Sequence, residues 1–149
     1  MRDSSKSFEM NFDVRWSDLD SNVHLRHSAY ADYCATTRIQ CLAKFGFQMK
    51  DFGDHHVGPV LFKETLTYLK EVPPDVTVKV SMKVAGLSAD GRKWKILHEL
   101  FRSSDQAKCA IVEVEGAWID TKLRKIAPPP QKLKAAFDAV ERTENFGEI

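Results

Sequence analysis

Two periodicities divide the chain. From Phe8 to Trp16 apolar and polar positions alternate, with Phe8, Met10, Phe12, Val14 and Trp16 on one side and Glu9, Asn11, Asp13 and Arg15 on the other. Period two is the signature of a half-buried strand. Tyr30, Tyr33, Cys34, Thr37, Cys41, Leu42 and Phe45 then recur every three or four residues, with Asp32, Arg38, Gln40 and Lys44 largely between them. That spacing predicts a helix with one buried stripe from about Ala29 to about Phe45. Ser28 is placed to cap its N-terminus and Gly46 to follow its last turn. Phe47 to Val57 has no clear period and reads as a loop of the kind that covers a pocket.

Extended patterns take over from Val60. Val60 to Tyr68 is rich in β-branched and aromatic residues, and Pro73, Pro74 and Asp75 turn the chain. Val76, Val78, Val80, Met82 and Val84 alternate with Thr77, Lys79, Ser81 and Lys83. Asp90 and Gly91 make a hairpin turn into Trp94 to Arg102, and Ser103 to Gln106 lead into a strand from Lys108 to Ile119. Pro128 to Pro130 close the sheet, and Leu133, Phe137 and Val140 mark a short amphipathic helix at about 131–142. Successive strands are expected to pair antiparallel. A sheet of this size needs a cover for its apolar face, and the helix at 29–45 has the stripe to provide it, so the sheet should wrap that helix in an α+β fold.

With 149 residues, 43% of them hydrophobic, the chain suits one domain over 1–149 with a core of about 8–126. Met1 to Ser7 reads as a loose tail. The formal charge of +1, from 22 basic and 21 acidic residues, provides no global field for nucleic acid or an anionic membrane. No apolar run reaches the roughly 18 residues of a spanning helix, and the polar start MRDSSKSFE lacks a signal-peptide core. A cytoplasmic protein is expected. Cys34, Cys41 and Cys109 are odd in number and form no C-x-x-C pair, so they read as reduced core residues.

Candidate chemistry concentrates between the first strand and the helix, in WSDLDSNVHLRHSAY from Trp16 to Tyr30. The segment holds two acids and two histidines next to a helix N-terminus, whose free N–H groups and dipole favour developing negative charge. Asp20 is either a reactive carboxylate or the acceptor of an Asx-turn, and Asn22 either a turn residue or a substrate contact. His24 and His27 could orient Asp20 or a water, or simply hydrogen-bond their neighbours. Asp18 reads as a brace for the loop. His55 and His56 lack partners at metal-ligand spacing, so no metal is assigned. Arg92 and Lys93, and less directly Lys122, Arg124 and Lys125, are basic turns that suit phosphates or solvent alike. Trp94 and Trp118 fall at inward positions of their strands and read as core.

The order of strand, D-x-D loop, helix beginning at an aromatic, lid-like segment and long antiparallel sheet resembles the hotdog-fold thioesterases from Phe8 to about Ile126. The resemblance to the 4-hydroxybenzoyl-CoA thioesterase type implies that the second acid of the D-x-D, Asp20, is the catalytic carboxylate. His27 falls where related short-chain acyl-CoA thioesterases carry a second catalytic or substrate-orienting residue, and Tyr30 matches the aromatic that begins the helix. The chain departs from that pattern at Val23, where a glycine is common, and at Arg26 and His27, where paired asparagines are common. Asp20, Asn22 and His24 also match the D-x-N-x-H of acyl-ACP thioesterases, and Glu71 would correspond to a glutamate of theirs, although Val72 replaces the neighbouring cysteine. Those enzymes resemble two fused units. The placement of Val23 and His24 differs from the hydratase branch. The resemblance implies hydrolysis of acyl-CoA, or of an acyl carrier protein thioester, without a cofactor. It also implies a homodimer or tetramer that shares sites across the interface; a non-catalytic acyl-thioester binding module is the rival class.

Overall fold

The computed structural model describes residues 7–149, so all of the expected tail except Ser7 lies outside the described residues. The elements in order are β1 (Glu9–Asp13), a 3-10 turn (Trp16–Asp18), α1 (His27–Lys44), α2 (Met49–Asp54), β2 (Val57–Tyr68), β3 (Thr77–Ser81), β4 (Lys83–Leu87), β5 (Lys93–Arg102), β6 (Lys108–Asp120), β7 (Lys125–Ile126), α3 (Gln131–Asp138) and β8 (Arg142–Glu148).

The sheet is built around β5 and β6, which pair antiparallel from Lys93↔Ala117 to Phe101↔Lys108. On the outer side of β5, β3 and β4 follow one another as two halves of the expected strand, broken at Met82. β1 and β8 continue the sheet beyond them, β1 antiparallel to β3 and β8 parallel to β4. On the other side β2 pairs antiparallel with β6, from Val57↔Asp120 to Tyr68↔Ala110. The expectation that each strand pairs with its successor therefore fails for β2, whose partner lies some fifty residues further along. The segment 69–76 carries the chain across to the opposite side instead.

One face of the sheet wraps α1. The helix buries Ala29, Tyr30, Tyr33, Cys34, Thr37, Cys41 and Leu42 against Val78, Val80, Leu100, Val112 and Val114, all fully buried. This is the stripe that period 3.6 predicted. Gly46 has φ +106, the left-handed geometry that ends a helix without a Cβ clash. All three cysteines are buried and free. Trp94 and Trp118 are core, their rings 5.5 Å apart.

Four sequence expectations need correction. The first strand stops at Asp13, and Trp16, placed on the buried face by alternation, is 89% exposed because the chain turns there. Phe47 to Val57 is not an unstructured loop: it contains α2, whose start is set by the Asp51 carboxylate accepting from Gln48 N at 2.7 Å. The C-terminal helix ends at Asp138, and β8, for which the sequence has no alternation, follows. Ser28 does not cap α1. The helix begins at His27 with Arg26 in the cap position and no side-chain cap.

Candidate active site

The loop from Asp18 to Arg26 is a small closed structure. Arg26 N donates to Asp18 O at 2.7 Å, Asp20 N donates to His24 O at 2.8 Å, and Leu19 bridges Leu25. Val23, at the tip, has φ +60 and is 56% exposed. A β-branched residue pays heavily in this region, and this is the position where the resembling family commonly has glycine.

The two acids of the D-x-D have opposite surroundings. Asp18 is 1% exposed. Its carboxylate accepts from Arg15 Nε at 3.0 Å, Arg15 Nη2 at 2.9 Å, Arg15 N at 3.2 Å, Tyr33 Oη at 2.9 Å and Arg26 Nη1 at 3.4 Å. The Arg15 guanidinium, aided by the Tyr33 hydroxyl, outweighs burial and holds its carboxyl at about 2. Both oxygens of this acid are committed to bracing the loop, to Arg15 before it and to Arg26 and Tyr33 at and within α1, as the sequence reading expected.

Asp20 is exposed. Its Oδ1 accepts from Asn22 N at 2.9 Å and His24 N at 3.3 Å, the Asx-turn that sequence reasoning held open. Among the described residues its other oxygen has no hydrogen bond. Turn formation and reactivity are thus compatible, because each uses a different oxygen. Asp20 lines an open hollow of about 350 Å³ together with His24, Leu25, His27, Tyr30 and the segment Tyr68 to Glu71.

The N-terminus of α1 faces the same hollow through His27. With no side-chain cap and Ala29 N donating back to Arg26 O at 3.1 Å, the N–H groups of His27 and Ser28 carry no hydrogen bond among the described residues. The Ser28 hydroxyl, rather than capping, accepts from Arg26 Nε at 2.9 Å. The absent cap leaves the helix donors open where negative charge could be received.

The far wall comes from the end of β2. Tyr68 Oη donates to His27 O at 3.1 Å, and its ring meets Tyr30 edge-on at 5.1 Å. Burial pushes the Tyr30 phenol up to about 12, so it is a hydrogen-bond donor and not a base. Leu69 N and Lys70 N both donate to Cys109 O, Leu25 N donates to Val72 O, and Arg102 Nη1 donates to Glu71 O at 2.8 Å. Leu25, Tyr68, Leu69 and Lys70 were not singled out from sequence. Only the pairing of β2 with β6 brings the last three here, and no local spacing signals it.

Asp20, His24, His27, Tyr30 and Glu71 are therefore brought together. Asn22 contributes its backbone to the Asp20 turn and does not line the hollow. Arg92 and Lys93 lie elsewhere in the chain: Arg102, which holds the hollow's wall, ends the strand that Lys93 begins, roughly 30 Å away at strand rise. Arg92 is engaged by Asp90, Nε to Oδ2 at 2.6 Å. Burial pushes Cys34 and Cys41 up to about 12 and Cys109 to about 11, so none is a ready nucleophile. Among the described residues no group of three or more histidine, cysteine or acidic side chains could hold a metal ion, and no helix is long and apolar enough to cross a membrane.

Comparison with known proteins agrees with this architecture. No curated protein sequence matches significantly. A Staphylococcus aureus protein solved in complex with CoA is similar over 96% of this chain and 93% of its own, at 16% identity and a TM-score of 0.82. A 1,4-dihydroxy-2-naphthoyl-CoA thioesterase from Synechocystis is similar over 89% of this chain and 96% of its own, at 14% identity and a TM-score of 0.78. A DHNA-CoA thioesterase from Staphylococcus aureus shares 18% identity over 82% of this chain and 80% of its own, with a TM-score of 0.74. At these identities the likeness is one of fold. Residues 14–137 match the family model of the thioesterase-like superfamily, a span that contains the acid loop, α1 and strands β2 to β7; the chain belongs to that superfamily and has the hotdog fold.

Proposed function

We propose that the protein hydrolyses acyl-CoA to a free acid and CoA in the hollow at the N-terminus of α1, with Asp20 as general base or nucleophile. Superfamily membership supports thioester hydrolysis as the class of reaction, and neighbours of the same fold are named as acting on CoA thioesters. The observation that carries the assignment is the pairing, in one open hollow, of a carboxylate with an uncommitted oxygen and a helix N-terminus with uncommitted donors.

The chemistry needs little more. In the general-base route Asp20 removes a proton from a water whose oxygen bonds to the thioester carbon. The carbonyl oxygen becomes an oxyanion received by the His27 and Ser28 N–H groups. Collapse breaks the C–S bond, the thiolate leaves with the electron pair, and the proton on Asp20 returns to it. In the nucleophilic route the same Asp20 oxygen bonds to the carbonyl carbon, the thiolate leaves, and water hydrolyses the resulting anhydride. His24 and His27 orient Asp20 or the water, and Tyr30 and Tyr68 wall the acyl group.

A carrier-protein thioester is the second reading, favoured by Glu71 lining the same hollow as Asp20. The free edge of β2, where Leu61, Phe62 and Tyr68 are exposed, is a liability unless a second strand covers it. We propose that a second copy does so, and that in the acyl-CoA reading Arg92 and Lys93 reach the CoA phosphates through that assembly. A thiol-release screen over acyl-CoA and acyl-carrier-protein substrates, run with the native chain and Asp20→Ala, tests the assignment. Turnover by the native chain that the variant lacks supports it. CoA binding without turnover on any thioester replaces it with a binding module.

A further inference from the structure

The far wall of the Asp20 hollow is tied to α1 through Tyr68, the last residue of β2, which pairs with Ala110. Directly opposite residues of an antiparallel pair share a face. Ala110 lies on the face of β6 that carries Val112 and Val114, all fully buried, so Leu66 and Tyr68 of β2 turn toward α1 as well. Tyr68 is 50% exposed, with its ring edge-on to the buried Tyr30. The chain just beyond it is fastened to β6, Leu69 N donating to Cys109 O at 2.9 Å and Lys70 N to the same oxygen at 3.1 Å. A phenol on a strand end fixed in this way can hold a neighbouring element in place.

What Tyr68 holds is a peptide group. Its Oη stands 3.1 Å from His27 O. A carbonyl only accepts, so the single proton of the phenol goes to it and none is left for a substrate. Burial, and then the field of Glu64, raise the phenol above its ordinary pKa, which keeps that proton in place. Among the described residues no peptide bond is cis, and in a planar trans peptide the C=O of one residue and the N–H of the next point in opposite directions. Fixing His27 O therefore fixes the direction of the Ser28 N–H, a donor at the mouth of α1 with no hydrogen bond among the described residues. The same bond draws electron density toward the carbonyl oxygen and makes that N–H a stronger donor. On the other flank Arg26 Nε donates to Ser28 Oγ at 2.9 Å, and Arg26 Nη1 to Asp18 Oδ1 at 3.4 Å. The peptide is thus held from the sheet on one side and from the acid loop on the other.

We propose that Tyr68 is a positioning residue for thioester cleavage: its hydroxyl, bound to His27 O, aims and polarises the Ser28 N–H that receives the oxyanion. That role rests on the hydrolase reading. It also divides the tyrosine in two. The ring walls the acyl group and serves substrate binding, whereas the hydroxyl acts once negative charge develops on the carbonyl oxygen, which places its effect on kcat and not on KM.

Tyr68→Phe isolates the hydroxyl, since it keeps the ring against Tyr30 and should retain the melting temperature. In ¹H–¹⁵N spectra of the native chain and the variant, the Ser28 amide is expected to shift more than the amides further along α1. A Ser28 amide that does not move overturns the proposal. In thiol release on the best thioester of the screen, kcat is expected to fall about three- to tenfold, the worth of one neutral hydrogen bond, with KM unchanged. A CoA trifluoromethyl ketone, which adds water to give a tetrahedral oxyanion mimic, should bind the variant more weakly by the same factor. A CoA thioether of equal chain length, which has no carbonyl, should bind both proteins alike. Weaker binding of the thioether, or a raised KM with native kcat, would make the hydroxyl a substrate contact or a structural bond and overturns the proposal. Tyr68→Leu, which removes the ring as well, is expected to raise KM in addition. A native chain that cleaves no thioester removes the hydrolase reading and the role of Tyr68 with it, whereas a native chain that turns over and a variant that equals it remove the role of Tyr68 alone.

Discussion

Asp18 and Asp20 stand two residues apart in one loop and share almost nothing else. Asp18 is buried, takes donors from Arg15, Tyr33 and Arg26, and has its carboxyl drawn down to about 2. Asp20 is exposed and, among the described residues, takes only two backbone donors, both on a single oxygen. What separates the two acids is the state of their lone pairs, and the proposed reactivity of Asp20 rests on that difference. The first acid anchors the loop to α1, and that anchoring holds the second at the mouth of the helix. Sequence spacing alone could not divide the roles, since either acid of a D-x-D can be the brace.

The sharpest way to break this contrast is to remove the helix donors without touching either acid. Proline is accepted at the first position of a helix, and Arg26 before it already has φ −68 and ψ 150, the extended geometry a pre-proline residue needs. His27→Pro deletes one open N–H, and His27→Ala deletes only the side chain. If the oxyanion is received there, kcat of the proline variant should fall roughly 10²–10³-fold below that of the alanine variant. Equal rates in the two would remove the helix N-terminus from the mechanism.

Asp18→Asn should act on stability. Loss of the charge-assisted bonds to Arg15 and Arg26 is expected to cost about 2–3 kcal/mol in denaturant unfolding. The pH dependence has a definite sign. A carboxyl held below its usual value of 3.8 contributes stability that is fully present above that value and is lost as pH falls through about 2. The native chain should therefore lose stability between about pH 4 and pH 2 by an amount that Asp18→Asn lacks. Acid unfolding curves of the two that stay parallel through this window would contradict the bracing role.

The smallest effect is expected at the loop tip. Val23 holds φ +60 with an exposed side chain, so Val23→Gly relieves backbone strain and sacrifices little burial. The gain, after glycine's extra unfolded-state entropy, should be about 0.5–1 kcal/mol. Thermal melts measure it, and a lower melting temperature in the variant would show that the left-handed tip is not strained.

The parts of this architecture that were legible in the sequence are those whose burial follows a single period. The stripe from Tyr30 to Leu42 predicted α1, and the alternations of 76–84, 94–102 and 108–119 predicted the strands that wrap it. Trp16 was misplaced because alternation persists in sequence past Asp13, where Arg15 turns the backbone to reach Asp18. β8 was missed because a short parallel edge strand is held by β4 and by packing of Phe146, and not by a regular apolar face. In the site, Asp20, His24, His27 and Tyr30 were legible since they are neighbours along the chain. The wall from Tyr68 to Glu71 depends on a pairing that crosses the molecule. The contact of Arg38 with His98 was hidden for a related reason: Arg38 is a polar residue beside the stripe of α1, His98 takes an inward position of β5 between Ile96 and Leu100, and their contact spans sixty residues.

The central claim is that the open oxygen of Asp20 acts in the transition state of thioester cleavage, and steady-state thiol release by the native chain and Asp20→Asn on the best acyl-CoA tests it most directly. The asparagine keeps the turn-forming oxygen and removes the reactive one, so kcat is expected to fall roughly 10²–10⁴-fold with KM little changed and the melting temperature retained. A variant that folds normally and turns over at the native rate would contradict the account.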